Sequence, residues 1–329
     1  MMFAAPKPKV SVVIPNYNHA RFLRQRVDSV LQQTFQDFEL ILLDDCSTDE
    51  SRSILSSYAR DPRVRIEFNE VNSGSTFKQW NKGVRISQGE YVWIAESDDC
   101  ADKRLLGSLV SALDREPQAV FAYCRSRRLS ESSGFDGFQD PFIPGVDKNR
   151  WLADFCVDGR EECRNYFVHC NNVANASSVV FRKAVYERVG GADETMRLCG
   201  DWKLWASMAL RGKVAYLSEA LNIHRIHDAS VAHRSKQTGL DVRESLQVIR
   251  WIFEEAKPER AVIEKVCGAQ AARWAPTLLS TRVPASIKSA VLRDVWALDP
   301  HPVRSAIRPA VLAVQLKLLR HWREARSAL

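Results

Sequence analysis

No stretch of this sequence approaches the roughly 18 uninterrupted apolar residues that a membrane span needs. The opening MMFAAPKPKV has no apolar h-region, so the expectation is a cytoplasmic protein. Cysteine is sparse as well. Eight in 329 residues, with no CxxC pair, are too few for a disulfide scaffold and suit a reducing compartment. Cys156, Cys163 and Cys170 recur every seven residues beside His169, but equal spacing is not zinc-ligand spacing, and buried thiols are the preferred reading. Two phosphate-binding signatures are missing: there is no GxxxxGK[ST], and no GxGxxG follows the first apolar run. Their absence argues against a P-loop enzyme and an ordinary dinucleotide oxidoreductase. No zinc finger or RNA-binding aromatic pattern is present, and no nucleic-acid partner is expected.

What is present fits a globular enzyme. Hydrophobic residues make up 45% of the chain, enough for an ordinary core, and the formal charge of +7 suits an anionic partner. Over residues 1–125 apolar runs alternate with helical patterns: KVSVVIP, FELILLDD, VRIEF, YVWIA and AVFAYC, separated by amphipathic stretches. That rhythm predicts a mostly parallel sheet with helices on both faces, whose ligands bind beyond the carboxyl ends of the strands. Periodicity fades between about 126 and 165, which is rich in turn formers, and NASSVVFRKAVYERVGG then reads as a strand followed by a glycine-closed helix. A boundary near 234 separates this region from a helical stretch, 235–329.

Three of the early strands end in polar side chains suited to one crevice: Pro15, Asn16, Tyr17 and Asn18; Asp44 and Asp45; and Glu96, Asp98 and Asp99. Carboxylates crowded at the mouth of a buried strand repel one another, so a cation is expected among them. Hard oxygen ligands favour Mg²⁺ or Mn²⁺, shared with a diphosphate. A structural alternative stands for Asp44, because Ser47 and Glu50 have capping-box spacing and could start the next helix.

VSVVIPNYNHARFLRQRVDSVLQQTFQDFELILLDDCSTDES, the spacing to NSGSTFKQWNKGVRISQGEYVWIAESDD, and the later GDWKLW together resemble a family 2 glycosyltransferase of the GT-A fold, over roughly residues 9 to 230. The resemblance implies an inverting transferase that takes a nucleotide-diphosphate sugar, a UDP-sugar by analogy, and a glycan or lipid-linked acceptor. It implies a donor-binding half at 1–125 and an acceptor or catalytic half at 126–234. Pro15 to Asn18 would lie along the nucleotide, Asp45 would bind the base, and Glu96 and Asp98 would contact the ribose and metal. The family's acidic cluster usually reads Asp-x-Asp, whereas this sequence has Glu-Ser-Asp-Asp, so Asp98 and Asp99 both stand as metal ligands.

Asp201 falls where the family places its catalytic base; as a residue alone it also reads as the N-cap of a helix starting at Trp202. His227 is the candidate for holding the leaving diphosphate, with surface or core histidine as the alternative. Trp202 and Trp205 read either as sugar-stacking faces or, at a spacing of three, as core anchors. Asn171, Asn172 and Asn175 offer amides to acceptor hydroxyls or form a polar loop. Val311, Val314, Leu318, Trp322 and Ala325 make one stripe of a basic amphipathic helix, which covers a core or touches an anionic membrane peripherally. Two further classes stay in play: a degenerate, non-catalytic nucleotide-sugar or glycan binder, and a phosphoacceptor domain suggested by LILLDDCS.

Overall fold

The computed structural model describes residues 7–131, 133–141, 143, 148–227, 238–299, 301–303 and 305. The chain forms two compact units, Met1–Ser230 and Val231–Leu329.

The first unit is built on a ten-stranded sheet. Its strands are β1 (Val10–Asn16), β2 (Phe38–Asp44), β3 (Val64–Phe68), β4 (Tyr91–Ile94), β5 (Cys100–Ala101), β6 (Ala119–Ser130), β7 (Gly134–Phe138), β8 (Phe155–Asp158), β9 (Val179–Arg182) and β10 (Lys213–Ile226). The main path runs β3-β2-β1-β4-β9-β6-β10-β5, with β7 paired to β6 and β8 to β10. Strands β3, β2, β1 and β4 are mutually parallel. Antiparallel β9 then joins β4 to β6, and β6 runs parallel to β10.

Central strands in such a sheet are buried on both faces and read as unbroken apolar runs, and β1 is buried at every position. Its alternate residues serve different layers. Val10, Val12 and Ile14 share a core with Leu23, Val27 and Val30 of α1 (Ala20–Leu31) and with Leu105, Leu109 and Leu113 of α4 (Leu105–Arg115). Val13 meets α3 (Thr76–Ile86) on the other face, where a Cβ at Gly83 would lie 2.4 Å from the Val13 side chain. The helix α2 (Ser51–Ser56) is six residues long, and Glu50 precedes it without a side-chain cap. The Ser47–Glu50 capping box therefore does not form, and the Ser47 hydroxyl instead accepts from the Asn18 N–H at 2.9 Å.

The second half of the unit adds α5 (Gly159–Glu162), a π-helical turn at Cys163–Phe167, α6 (Lys183–Arg188) and α7 (Gly200–Ala209). The strand and helix read from NASSVVFRKAVYERVGG are β9 and α6, and Gly190 and Gly191 close the helix at φ +88° and +78°. Gly159 permits a close approach: a Cβ there would fall 1.9 Å from the Ala209 carbonyl oxygen. Residues 126–165, read as loop-rich, hold the end of β6 together with β7 and β8.

The second unit is helical where described, with α8 (Leu240–Ala256), α9 (Arg260–Leu279) and α10 (Ala285–Leu298). Val242, Leu246, Ile249 and Ile252 of α8, Val266 and Ala271 of α9, and Val291 and Val295 of α10 are buried. No helix among the described residues is long and apolar enough to cross a membrane. The stripe from Val311 to Ala325 lies outside the described residues.

Candidate active site

Parallel pairing of β1 with β2 and β4 brings three strand ends to one edge of the sheet. Asn16 and Asp44 are direct partners in the β1–β2 register, and Asn16 donates to the Asp44 carboxylate at 2.9 Å. Asp44 also accepts from the Ser47 N–H at 3.0 Å and pairs with Arg52 at 3.2 Å. It is fully buried and tied into the loop, so its role is structural, as a turn rather than as a helix cap. Asn18, at φ +55°, accepts from the Thr48 N–H through its side chain, which locks the two loops together. Pro15 closes β1 from within, buried, while Tyr17 stays 47% exposed and is the contact surface this loop offers.

Asp45 sits one residue beyond β2. Its Oδ1 accepts from Asn69, the Ser73 N–H and Gln79 at 2.6 to 2.9 Å. Its Oδ2 accepts from the Ser73 hydroxyl at 2.7 Å. Each carboxylate oxygen has about two lone-pair sites, so Oδ2, with one donor, can take a further N–H.

The acidic cluster after β4 divides into three different environments. Glu96 accepts from Trp80 Nε1 at 2.7 Å, and burial, followed by the charge of Asp98, pushes its carboxyl up to about 8. Asp99, 2% exposed, accepts from Asn175 and from the Arg225 N–H at 3.0 Å. Burial and the Asp98 charge push it up as well. Burial acts on Asp98 in the same direction, but the His227 hydrogen bond and the imidazoles of His19 and His227 outweigh it and hold this carboxyl below its usual range. Burial thus favours the neutral form of Glu96 and Asp99, while the imidazoles favour the charged form of Asp98.

The repulsion is relieved from inside the fold as well. Arg26, on α1, is 0% exposed, lies with its guanidinium 5.1 Å from the Trp93 ring centroid, and has no hydrogen-bond partner for its three guanidinium nitrogens. Burial lowers its proton affinity, and the charges of Asp99, Cys100, Asp98 and Glu96 oppose that. It is a buried cation on which the cluster's acids act, and sequence reading missed it. The signal was there: Arg26 interrupts the apolar stripe Phe22, Leu23, Val27, Val30 of α1.

His227, 4% exposed, sets Nε2 at 3.0 Å from Asp98 Oδ2. His19, from the turn that starts α1, stands edge-on to the His227 ring at 5.9 Å and has Nδ1 2.8 Å from the Ser97 hydroxyl. Donor atoms of His19, Asp98 and His227 all lie within 4.8 Å of one another, the one such metal-holding group among the described residues. Asp99, read from sequence as a metal ligand beside Asp98, is engaged elsewhere by Asn175 and Arg225. The heptad-spaced cysteines form no disulfide, Cys163 is buried, and none joins a metal-holding group among the described residues.

Asp201 lies in the first turn of α7, which begins at Gly200 rather than at Trp202, so it is not the N-cap. Its Oδ1 accepts from the Trp202 N–H at 2.7 Å, and its Oδ2 accepts from Asn171 at 2.9 Å. Asn172 donates to Glu162 at 3.4 Å, and Asn175 holds Asp99 while accepting from Asn222 at 2.8 Å. The asparagine loop therefore braces two site carboxylates rather than presenting free amides. Trp202 and Trp205 are 4% and 0% exposed, with Trp205 packed on Trp80, Phe121 and Phe181. They are core anchors, not sugar platforms.

The glycosyl transferase family 2 profile matches residues 11–159, the segment that carries every strand end just described on the donor side. TuaG of Bacillus subtilis (strain 168), named for a glycosyltransferase of teichuronic acid biosynthesis, is 43% identical over 230 residues, covering 69% of this chain and 82% of that protein. The chain belongs to glycosyl transferase family 2. The match spans 46% of GlyG of Streptococcus pneumoniae and 14% and 20% of two longer curated relatives of this family 2 glycosyltransferase.

Solved structures agree on the architecture. Residues 1–349 of TarS from Staphylococcus aureus, in complex with UDP-GlcNAc, superpose with a TM-score of 0.66 at 16% identity, covering 91% of this chain and 88% of that one. The mannosyltransferase PcManGT from Pyrobaculum calidifontis, in complex with GDP-Man and Mn²⁺, gives 0.57 at 17% identity, covering 96% and 88%. The enzyme's fold is GT-A, with helices added after it.

Proposed function

We propose that this glycosyltransferase moves a sugar from a nucleotide-diphosphate donor to an acceptor hydroxyl in one metal-dependent, inverting displacement, in the synthesis of a surface polysaccharide or glycoconjugate. The observation that carries the reading is that two carboxylates stand on different elements: Asp98, beyond β4, beside two imidazoles, and Asp201, in the first turn of α7, with its Oδ2 accepting from Asn171. The polysaccharide setting follows the names of TuaG and TarS. UDP is the favoured nucleotide because TarS was solved with it.

In this reading Tyr17 and its loop lie along the nucleotide, and the remaining acceptor site on Asp45 Oδ2 takes an N–H of the base. Asp98 and His227 hold the divalent ion, Mn²⁺ or Mg²⁺, which PcManGT's bound Mn²⁺ makes reasonable. Such an ion would neutralise charge on the departing diphosphate. Glu96, fixed by Trp80 and neutral near pH 7, faces the ribose as a hydrogen-bond partner rather than serving as a second metal anion. Asp201 takes the proton of the acceptor hydroxyl, whose pKa near 15 makes it a poor nucleophile unaided. Asn171 keeps its carboxylate aimed. Residues 1–125 thus serve the donor and 126–234 the acceptor, and the helices α8 to α10 follow in the second unit.

A thermal-shift titration of the whole chain with UDP, GDP and their sugars, with and without Mn²⁺, tests this reading, because a ligand at 100 times its Kd adds about 2.7 kcal/mol of stability. Stabilisation that needs both nucleotide and Mn²⁺, and that Asp98→Asn abolishes, is the expected result. Equal stabilisation in excess EDTA would remove metal dependence, and absence of turnover with every donor would leave a binding protein instead.

A further inference from the structure

We propose that His19 is a third protein ligand of the divalent ion, and that the resulting pair of imidazoles makes the site prefer a transition-metal ion such as Mn²⁺ over Mg²⁺. This rests on the reading above that an ion binds at Asp98 and His227. Nothing in the acidic cluster's own sequence points to residue 19, which the fold brings there from 79 positions upstream of Asp98.

The placement is rigid at both ends. The His19 carbonyl accepts the Phe22 and Leu23 N–H groups that open α1, which fixes the backbone. The ring is held edge-on by Phe22 and His227, each 5.9 Å away between centroids. Ser97, itself 2% exposed, engages Nδ1 at 2.8 Å. A histidine whose one nitrogen is fixed by a neighbour presents the other as the ligand, the usual arrangement around metal-bound imidazoles, so Nε2 is the donor His19 offers. Ser97 lies between the two acids of the Glu-Ser-Asp sequence, so the cluster itself orients the extra ligand.

Geometry and chemistry converge. Two nitrogens and one carboxylate oxygen lie within 4.8 Å of one another. Metal–ligand bonds of about 2.0 to 2.2 Å require donors on one ion to lie no more than roughly 4.4 Å apart, so the three donors need close by only about 0.4 Å, which leaves the held ring in place. Three protein donors leave positions for diphosphate oxygens and water. Imidazole nitrogen suits Mn²⁺ and the later first-row ions better than Mg²⁺, which dehydrates reluctantly and prefers oxygen.

The test is pulsed electron paramagnetic resonance of the full chain loaded with Mn²⁺ and UDP, which counts directly coordinated imidazole nitrogens through their ¹⁴N couplings. Wild type should show two, His19→Ala one, and His224→Gln, whose ring lies against Gln139, two. The Mn²⁺-over-Mg²⁺ preference, measured by competition for binding, should fall by about tenfold or more in His19→Ala. Wild type with a single coupling, lost in His227→Ala and untouched in His19→Ala, overturns the role of His19 and leaves the parent reading standing. Wild type with no bound Mn²⁺ overturns both. Should His19→Ala fail to fold in EDTA, Ser97→Ala releases the ring instead, and an unchanged pair of couplings with unchanged preference in that variant refutes the proposed orientation.

Discussion

Glu162→Gln should make the protein more stable than wild type by a margin that grows as the pH rises, although Glu162 pairs with Arg150. Glu162 is buried at the end of α5, touching the Arg150 guanidinium and, at 3.4 Å, the Asn172 amide. Burial pushes its carboxyl from 4.5 up to about 7, against the opposing pull of Arg150. Below pH 4.5 the group is protonated in both folded and unfolded chains and contributes nothing. Between 4.5 and about 7 the unfolded chain sheds its proton while the folded chain retains it, so stability falls with pH. Above about 7 both forms are ionised and the deficit stays constant. At 1.36 kcal/mol per pKa unit, that deficit is roughly 3 kcal/mol. Glutamine keeps one carbonyl oxygen for Arg150, sets its NH2 toward Asn172, whose amide turns its oxygen to accept, and cannot titrate. The difference in unfolding free energy between variant and wild type should therefore grow from near zero at pH 4.5 to about 3 kcal/mol at pH 8. Urea unfolding of the whole chain followed by tryptophan fluorescence at several pH values measures it, with every other titrating group cancelling in the difference. A pH-independent difference, or a variant less stable than wild type at pH 8, would refute the argument that desolvation outweighs the ion pair.

Further expectations follow from single contacts. Asp201→Asn should lower kcat by about 10²- to 10⁴-fold with unchanged affinity for UDP by calorimetry; wild-type turnover would remove Asp201 from the chemistry. Gly159→Ala forces a Cβ to 1.9 Å from the Ala209 carbonyl, and the backbone must shift, so a chemical melt should show a loss of about 1 to 3 kcal/mol or failure to fold. Trp80→Phe removes the indole donor to buried Glu96, and thermal unfolding should register about 1 to 3 kcal/mol of destabilisation; an unchanged midpoint would mean that water replaces the indole.

Much of the fold was legible because central parallel strands write themselves as unbroken apolar runs. Residues 64–68 and the core of the β1, β2 and β4 segments match the strands observed. The strand-end positions of Asn16, Asp45 and the acidic cluster follow from the same periodicity, since a strand's last residue fixes where its loop emerges. The length of β10, fourteen residues, was not legible, because Ser218, Glu219 and Asn222 interrupt its apolar run where bulges shift its register against β6.

The sequence by itself determined the family, the GT-A sheet and the set of carboxylates available for chemistry, because each is a local pattern of residue types along the chain. Only the tertiary structure decided how those carboxylates differ. Asp99 is tied to Asn175 and the Arg225 backbone, Glu96 is held by Trp80, and Asp98 alone meets two imidazoles from residues 19 and 227. Charge state depends on burial and neighbours rather than on residue type, and those neighbours meet only when distant segments pack.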